Sequence, residues 1–291
     1  MDVPVEPPRY GVVIRPDFTP EGIGPLARLA EQAGIDEVWL WEDCFLQGGI
    51  AQAAAALAAT KTVRVGVGVM PAPLRSVVAT AMEIATLDRM FPGRLTVAIG
   101  HGVQAWMRQA GVAVASPRTL LGDYVGALRD LLSGSSVTSA GRYVRLTEVQ
   151  LQWLPSRKIP ILIGGAGAKT LRLARQVADG VVLDCQHTPT TVRAALDETG
   201  YPQDDARDGF SSVLYLACAP GEGGKMTLRT EADKWNVASA NEFGVGGDID
   251  DIRDGIRPYL DAGVKTLVLQ SVGGEEDMPD FIRSVSDALI G

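Results

Sequence analysis

Histidine and cysteine are scarce in this chain, which has two histidines and three cysteines among its 291 residues. The histidines, His101 and His187, are too few for a histidine-rich metal site. The cysteines Cys44, Cys185 and Cys218 lie far apart, and no CxxC pair occurs. We therefore expect no metal centre and no disulfide framework, and we predict a reduced, cytoplasmic protein.

Long apolar runs and an excess of positive charge are also missing. No window holds the roughly 18 uninterrupted apolar residues of a membrane span. The first residues lack the basic and apolar regions of a signal peptide. The net charge is −8, whereas a protein that binds nucleic acid carries a basic face. We expect neither a membrane nor a nucleic acid as partner, and a small molecule as the substrate.

What the chain does have is a repeated alternation of strand and helix patterns, in which the strands read as runs buried on both faces. Strands are predicted at residues 10–14, 37–41, 63–70, 95–99, 159–163, 180–184, 211–219 and 266–270. Eight such units in one chain that is 46% hydrophobic predict an α/β fold, a TIM (β/α)8 barrel. We expect residues 1–291 to form a single domain.

Two details refine this prediction. The Ser/Gly-rich stretch 134–155 interrupts the alternation after the fourth βα unit, which predicts a small hairpin inserted outside the main sheet. An open doubly wound sheet is the rival fold. No GxGxxG motif follows the first strand, and this counts against a dinucleotide-binding domain of that kind.

The active site of a TIM barrel lies at the carboxyl ends of its strands. After the fifth strand the chain reads Gly164, Gly165, Ala166, Gly167 and then a helical pattern. A strand, a glycine turn and a helix together present bare backbone N–H groups and the positive end of a helix dipole to a phosphate. The alternative is a tight turn that binds no ligand.

Two other strand ends carry groups suited to acid–base chemistry. Glu42 and Asp43 follow the second strand, and because neighbouring strand residues point to opposite sides, at most one of them faces the barrel mouth. That carboxylate is a candidate general acid or base, or an anchor for a ring N–H; otherwise Asp43 caps the next turn. His101 lies between two glycines after the fourth strand. It is a candidate for orienting a cofactor or substrate, with a buried structural histidine as the alternative.

Segments 38–45, 66–71, 99–107 and 163–167 occur in a fixed order, and the segments 246–252, 261–264 and 267–270 follow near the end. Together they resemble the bacterial luciferase-like superfamily, whose members use FMN or the deazaflavin coenzyme F-420. The resemblance covers residues 10–289. It implies a TIM barrel whose cofactor ring lies across the mouth, with the phosphate on the loop at 164–167.

The resemblance also implies roles for single residues. A non-prolyl cis peptide that supports the ring corresponds to Gly68-Val69 here. Relatives often have an acid/base histidine after the second strand, and that place is taken here by Asp43, or by Glu42 if the register slips. The predicted catalytic residues are therefore Asp43, Glu42 and His101. The predicted cofactor-binding residues are Gly68, Val69, Met70, Gly100, His101, Gly102, Gln104, Gly164, Gly165, Ala166, Gly167 and Asp184.

The function that the resemblance implies is a flavin- or deazaflavin-dependent oxidoreductase. It would use coenzyme F-420, which we prefer, or FMN, for hydride transfer or monooxygenation of a small organic substrate. A homodimer is expected, and a separate reductase would supply reduced cofactor in the monooxygenase case. Two alternatives stay open. One is a cofactor-free barrel acting on a phosphorylated metabolite, and the other is a non-catalytic flavin-binding relative.

Overall fold

The computed structural model describes residues 7–200, 209–234 and 243–290. The strands are β1 (Arg9–Ile14), β2 (Glu37–Leu40), β3 (Arg64–Pro71), β4 (Leu95–Gly100), β5 (Val137–Ala140), β6 (Arg145–Val149), β7 (Ile161–Gly164), β8 (Gly180–Leu183), β9 (Ser211–Pro220), β10 (Gly244–Gly247) and β11 (Thr266–Ser271). Parallel pairing runs β11-β1-β2-β3-β4-β7-β8, and β9 pairs with both β8 and β11. This closed eight-stranded barrel confirms the TIM-barrel prediction and excludes an open sheet.

Helices surround the barrel. They are α1 (Ile23–Gln32), α2 (Gly49–Ala59), α3 (Val77–Met90), α4 (Gln104–Gln109), α5 (Pro117–Leu132), α6 (Ala168–Val177), α7 (Pro189–Glu198), α8 (Gly224–Lys234), α9 (Ile249–Asp261) and α10 (Met278–Leu289). Several start where the chain supplies a cap: the Ser76 side chain accepts from Ala79 N, and Asp248 and Asp251 form a capping box. Among these helices none has the length and apolar composition needed to cross a bilayer.

The predicted excursion is present. Strands β5 and β6 pair antiparallel in a two-stranded sheet of their own, between α5 and β7. Two elements were not predicted. The six-residue α4 lies in a stretch expected to be a loop, and β10 runs beside the second half of β9. A helix expected at 227–240 is observed as α8 over Gly224–Lys234, and the rest of that prediction lies outside the described residues.

The barrel interior is filled around one tryptophan. Trp39 is fully buried inside the barrel, in a cluster with side chains from the facing strands. A Cβ added to Gly66 would lie 2.3 Å from the Trp39 ring, and one added to Gly68 would lie 3.0 Å from it. Two glycines on β3 therefore make the space that the indole occupies, while outward-facing side chains build the larger core between barrel and helices.

This packing predicts opposite outcomes for two Gly→Ala substitutions. Gly66→Ala forces its new methyl group into the buried Trp39 ring, so we expect a loss of about 1–3 kcal/mol or more in the free energy of unfolding. Gly126→Ala is the control, because it lies within α5 and its added Cβ meets nothing within 4 Å. It should gain about 0.5–1 kcal/mol. Chemical denaturation measures both, and equal effects would contradict the packing account.

Candidate functional site

The carboxyl end of β3 carries a bulge that fills the centre of the barrel mouth. The Gly68-Val69 peptide bond is cis, as predicted, and the pairing with β4 shifts register between Val67 and Met70. Val69 packs directly on two glycines: a Cβ added to Gly100 or to Gly164 would lie 2.4 Å from a Val69 methyl group. The absence of side chains at these two predicted ligand-binding glycines therefore makes room for Val69.

The residues on either side of the bulge divide between the two sides of the sheet. Met70 is 2% exposed and packs in the core between barrel and helices, so its side chain is directed away from the mouth. Gly68 faces the barrel interior, against Tyr215 and Trp39. Of the predicted cofactor-binding residues on β3, the Val69 side chain is the one that presents an apolar surface at the mouth.

Tyr215 on β9 holds this bulge from below. Its hydroxyl donates a hydrogen bond of 2.9 Å to the Gly68 carbonyl oxygen. The ring packs edge-on to Trp39 and tilted against Trp41. Burial raises the pKa of Tyr215 well above its ordinary value, so the hydroxyl stays a neutral donor. Tyr215 was not predicted from the sequence; the signal was a tyrosine in the middle of the otherwise apolar run 213–219 of β9.

Above Tyr215 the interior ends in a polar group. The Trp41 indole N–H is buried and lies beside the Tyr215 hydroxyl, but the two are poorly aligned for a hydrogen bond. A buried donor with a poorly aligned partner gains free energy when a bound molecule offers a better-placed acceptor. Trp41 also packs, like Val69, against the aromatic cluster inside the barrel. This end of the barrel therefore suits a flat, partly polar ring.

Glu42 faces outward and has structural partners. It is 6% exposed, its Oε2 accepts from the Gly49 backbone N–H at 2.8 Å, and both its oxygens contact the Arg75 guanidinium at 2.8 and 3.0 Å. Gly49 opens α2, so the carboxylate lies at the positive end of that helix. Every close contact of Glu42 thus fixes the β2–α2 connection, which leaves Asp43 as the carboxylate at the mouth.

Asp43 continues the inward alternation of Trp39 and Trp41. Burial, and then the negative charge of Asp17, raise the pKa of the Asp43 carboxyl. Asp17 behaves oppositely, because Arg15 binds both its oxygens at 3.0 and 2.5 Å and lowers its pKa. Arg15 is itself held by the carbonyl oxygens of Ser271 and Gly273, each at 3.3 Å. Two neighbouring carboxyls with pKa values shifted apart are the arrangement of an acid–base site.

The loop after β4 is braced by its own polar groups. His101 Nδ1 donates to the Gly102 carbonyl oxygen at 3.0 Å, which leaves Nε2 as an acceptor. The Gln104 amide donates to the carbonyl oxygens of His101 and Gly102 at 3.1 and 3.0 Å. Gly102 has φ +71°, and a Cβ there would meet the buried Met107 sulfur at 2.8 Å. These contacts fix the conformation of the loop, and His101 is half-buried within it.

The glycine loop after β7 is open. Ala166, Gly167, Ala168 and Lys169 are exposed, and a Cβ at Gly167 would meet nothing within 4 Å. The α6 helix begins at Ala168, and the first amide with a backbone partner there is Thr170 N, which bonds the Gly167 carbonyl oxygen. The amides of 166–169 thus line the positive end of a ten-residue helix. This geometry fits a phosphate.

Asp184 forms its hydrogen bonds within its own loop, after β8. It accepts from the Gln186 backbone N–H at 3.1 Å and from His187 Nδ1 at 3.0 Å. His187 is 8% exposed, so the second histidine of the chain is a buried partner that shapes the loop after β8. The polar contacts of the His187 ring are to Asp184, and this pairing was not predicted from the sequence.

A separate cavity of about 300 Å³ lies at the opposite, amino-terminal end of the barrel. Its charges pair with one another. Glu37 contacts Arg9 at 2.9 Å, and Asp179 contacts Lys158 at 2.6 Å. Satisfied ion pairs at that end of a TIM barrel point to a structural role, so the mouth is the candidate active site.

Comparison with known proteins gives relatives across most of the chain. A 5,10-methylenetetrahydromethanopterin reductase of Methanolobus tindarius is 30% identical over 61% of this chain, a match that spans 54% of the relative. An F-420-dependent glucose-6-phosphate dehydrogenase of Nakamurella multipartita is 26% identical over 89% of both chains.

The fold has solved counterparts. The coenzyme F-420-dependent tetrahydromethanopterin reductase of Methanopyrus kandleri matches with a TM-score of 0.79 and 19% identity, over 98% of this chain and 99% of that one. The family described as luciferase-like monooxygenase matches residues 6–217. That match covers well over half of the chain, which therefore belongs to the luciferase-like monooxygenase family.

Proposed function

We propose that this protein is an oxidoreductase that binds coenzyme F-420, with FMN as the second candidate, and transfers hydride to or from a small organic substrate. The proposal treats residues 1–291 as one catalytic domain. The observation that carries it is the juxtaposition, at one barrel mouth, of the Val69 surface, the buried Trp41 N–H beside Tyr215 and the open amides of 166–169. Relatives named for their dependence on F-420 support it.

The residues fit the cofactor in two parts. Val69 and Trp41 would contact the ring, and the Trp41 N–H would donate to one of its polar atoms. The amides of 166–169 would bind the phosphate. Bound there, the ring supplies hydride chemistry, or oxygen chemistry in the case of reduced FMN. The protein contributes position, exclusion of water and proton transfer.

Asp43 is the residue that we assign to proton transfer. Its raised pKa brings its proton affinity nearer to neutral pH, where a general acid or base works best. Asp17 keeps that pKa raised while staying ionised itself, held by Arg15. His101 is the second candidate for orienting a substrate, because its Nδ1 is engaged by the Gly102 carbonyl oxygen and its Nε2 has no hydrogen-bond partner among the described residues.

Each alternative function would need a different set of groups at the barrel mouth. A barrel that binds a phosphorylated metabolite would use the amides of 166–169 for the substrate phosphate, and Arg15 and Arg75 would not assist because Asp17 and Glu42 bind them. An FMN-dependent monooxygenase would need a separate reductase to supply reduced cofactor. A non-catalytic relative would bind cofactor without using Asp43. A cytoplasmic location stays a prediction.

A cofactor titration tests the proposal. We expect F-420 to bind with a micromolar Kd in fluorescence titration and to raise the melting temperature. Ala166→Asp places a carboxylate in the exposed phosphate loop, so it should weaken binding of F-420 about tenfold or more. Ala140→Asp adds the same charge on the exposed hairpin and should leave the Kd unchanged.

The outcomes separate the candidates. Binding of FMN alone would favour the monooxygenase reading. A well-folded protein that binds neither cofactor would overturn the proposal.

The Asp43 assignment predicts a titration that needs no substrate. Carbon-13 NMR of aspartate-labelled protein should show one carboxyl that titrates above the ordinary range, and Asp43→Asn should remove that signal. Asp17→Asn deletes a neighbouring negative charge, so the pKa of Asp43 should fall and its titration should move to lower pH. Asp197→Asn, on the outer helix α7, is the control. An Asp43 signal that does not respond to Asp17→Asn would contradict the pairing.

We also propose a homodimer that uses the outer faces of α2 and α3. Helix α2 has no charged residue, and its exposed positions are alanines, among them Ala51, Ala55 and Ala58. Met82 and Met90 on α3 are 57% and 61% exposed. The uncharged face of α2, beside these exposed methionines, is the kind of apolar surface that supports an interface.

Light scattering tests the dimer. The protein should give about twice the chain mass of 30.8 kDa, and Ala55→Glu should lower it to one chain. Ala140→Asp again serves as control, because it lies on the hairpin. A monomer at all concentrations in the unmodified protein would exclude this interface.

A further inference from the structure

We propose that the cavity at the amino-terminal end of the barrel binds a small oxyanion, of the size and charge of inorganic phosphate. The site lies at the end opposite the mouth, so the inference does not depend on the proposed function. The ion pairs at this end satisfy their carboxylates, but they leave cations in excess and a buried donor without an acceptor.

The cavity lies where the lowest layer of the barrel interior is polar. Trp39 and Val268 point into the interior, within the apolar cluster there. In a strand the residue two positions earlier points the same way, and these earlier residues are Glu37 and Thr266. Both line the cavity. Because a TIM barrel ordinarily fills its layers with branched apolar side chains, buried polar groups in this one need partners there.

One hydroxyl in this layer lacks such a partner. Thr266 is 1% exposed, and its Oγ1 makes no hydrogen bond within the part of the chain that the structure describes. It lies directly across from Arg9 of the paired strand β1. A buried hydroxyl without a partner carries a free-energy cost, which an oxygen of a bound anion removes by accepting its proton.

The carboxylate of Glu37 is shared between two arginines. Its Oε1 lies 2.9 Å from Arg9 Nε and 3.7 Å from Arg64 Nε, and its Oε2 accepts from the Trp39 indole N–H at 2.8 Å. Both Nε atoms are buried, and neither makes a hydrogen bond of good geometry. One carboxylate, with both of its oxygens occupied, thus faces two guanidinium groups.

A second carboxylate of the cavity wall also meets two cations. Asp179 Oδ1 lies 3.0 Å from Arg129 Nη1 and 2.6 Å from Lys158 Nζ, and its Oδ2 accepts from the Ile161 backbone N–H. Four cations less two carboxylates leave a surplus of two positive charges here, in a chain whose net charge is −8. An anion in the cavity offsets this surplus, whereas water only solvates it.

The cavity also has the size and the access that an oxyanion needs. Its volume of about 300 Å³ corresponds to roughly ten water molecules of the liquid, which is room for phosphate and part of its hydration shell. The Arg9 and Arg64 side chains are each 35% exposed, so the cavity can be reached from solvent between them. Guanidinium groups suit such a ligand, because their paired N–H donors match an oxyanion.

Calorimetry and thermal melting with inorganic phosphate at constant ionic strength test the site. Because the amides of 166–169 also suit a phosphate, the titrations are made in the Ala166→Asp variant, whose added carboxylate repels a phosphate from that loop. We expect one phosphate to bind with a millimolar Kd. It should raise the melting temperature by about 2–4 °C at tenfold excess over that Kd.

Two further substitutions locate the bound phosphate. Arg64→Gln should weaken binding about tenfold, while Glu37 keeps Arg9 and Trp39 as partners. Thr266→Val removes the hydroxyl with little change of shape. Without phosphate it should raise the melting temperature, because an unpaired buried hydroxyl is lost, and with phosphate it should gain less than its parent.

Arg145→Gln is the matched control, since Arg145 is exposed on strand β6 of the hairpin. It removes the same charge and should leave both the Kd and the melting shift unchanged. No saturable binding of phosphate in the Ala166→Asp variant would overturn the inference. Binding that Arg64→Gln and Thr266→Val both leave intact would also overturn it, because the phosphate would then lie elsewhere.

Discussion

The hydrogen bond from the Tyr215 hydroxyl to the Gly68 carbonyl is the interaction on which the mouth of this barrel depends. It connects β9 to β3 across the interior, above the indole of Trp39. With that carbonyl held down, Val69 is directed upward onto Gly100 and Gly164 of the two strands beyond. One bond inside the barrel thereby orders residues from four strands, and loss of a buried bond of this kind leaves an unsatisfied carbonyl.

The pairing of charged side chains around this centre decides which acid has a raised pKa. Glu42 and Arg75 neutralise each other behind the second strand, and Arg15 is occupied by Asp17 and two backbone carbonyls. The acid with the raised pKa is Asp43, because it is buried and lies near the negative charge of Asp17. A proton-transferring group thus arises from how its neighbours are paired, rather than from any feature of the residue itself.

Most of the fold was predictable because buried parallel strands leave a strong local pattern, and all eight barrel strands lie where apolar runs predict them. Local pattern could not find β10, since Gly244–Gly247 is glycine-rich and becomes a strand only beside β9. It also could not separate Glu42 from Asp43, because alternation is certain only once Trp39 is placed inside the barrel. Local pattern also could not show that the glycines predicted to bind a cofactor at 100 and 164 make room for Val69, because that contact joins residues far apart in sequence.

The contact of Val69 with two glycines also constrains how this mouth can diverge. Its three positions share one small volume, so a larger residue at 100 or 164 is tolerated only after residue 69 has become smaller. Changes at these sites are therefore ordered in time, and the shrinking step must come first. A lineage that followed this order could widen the floor of its pocket through two or three substitutions at these positions, without altering the barrel.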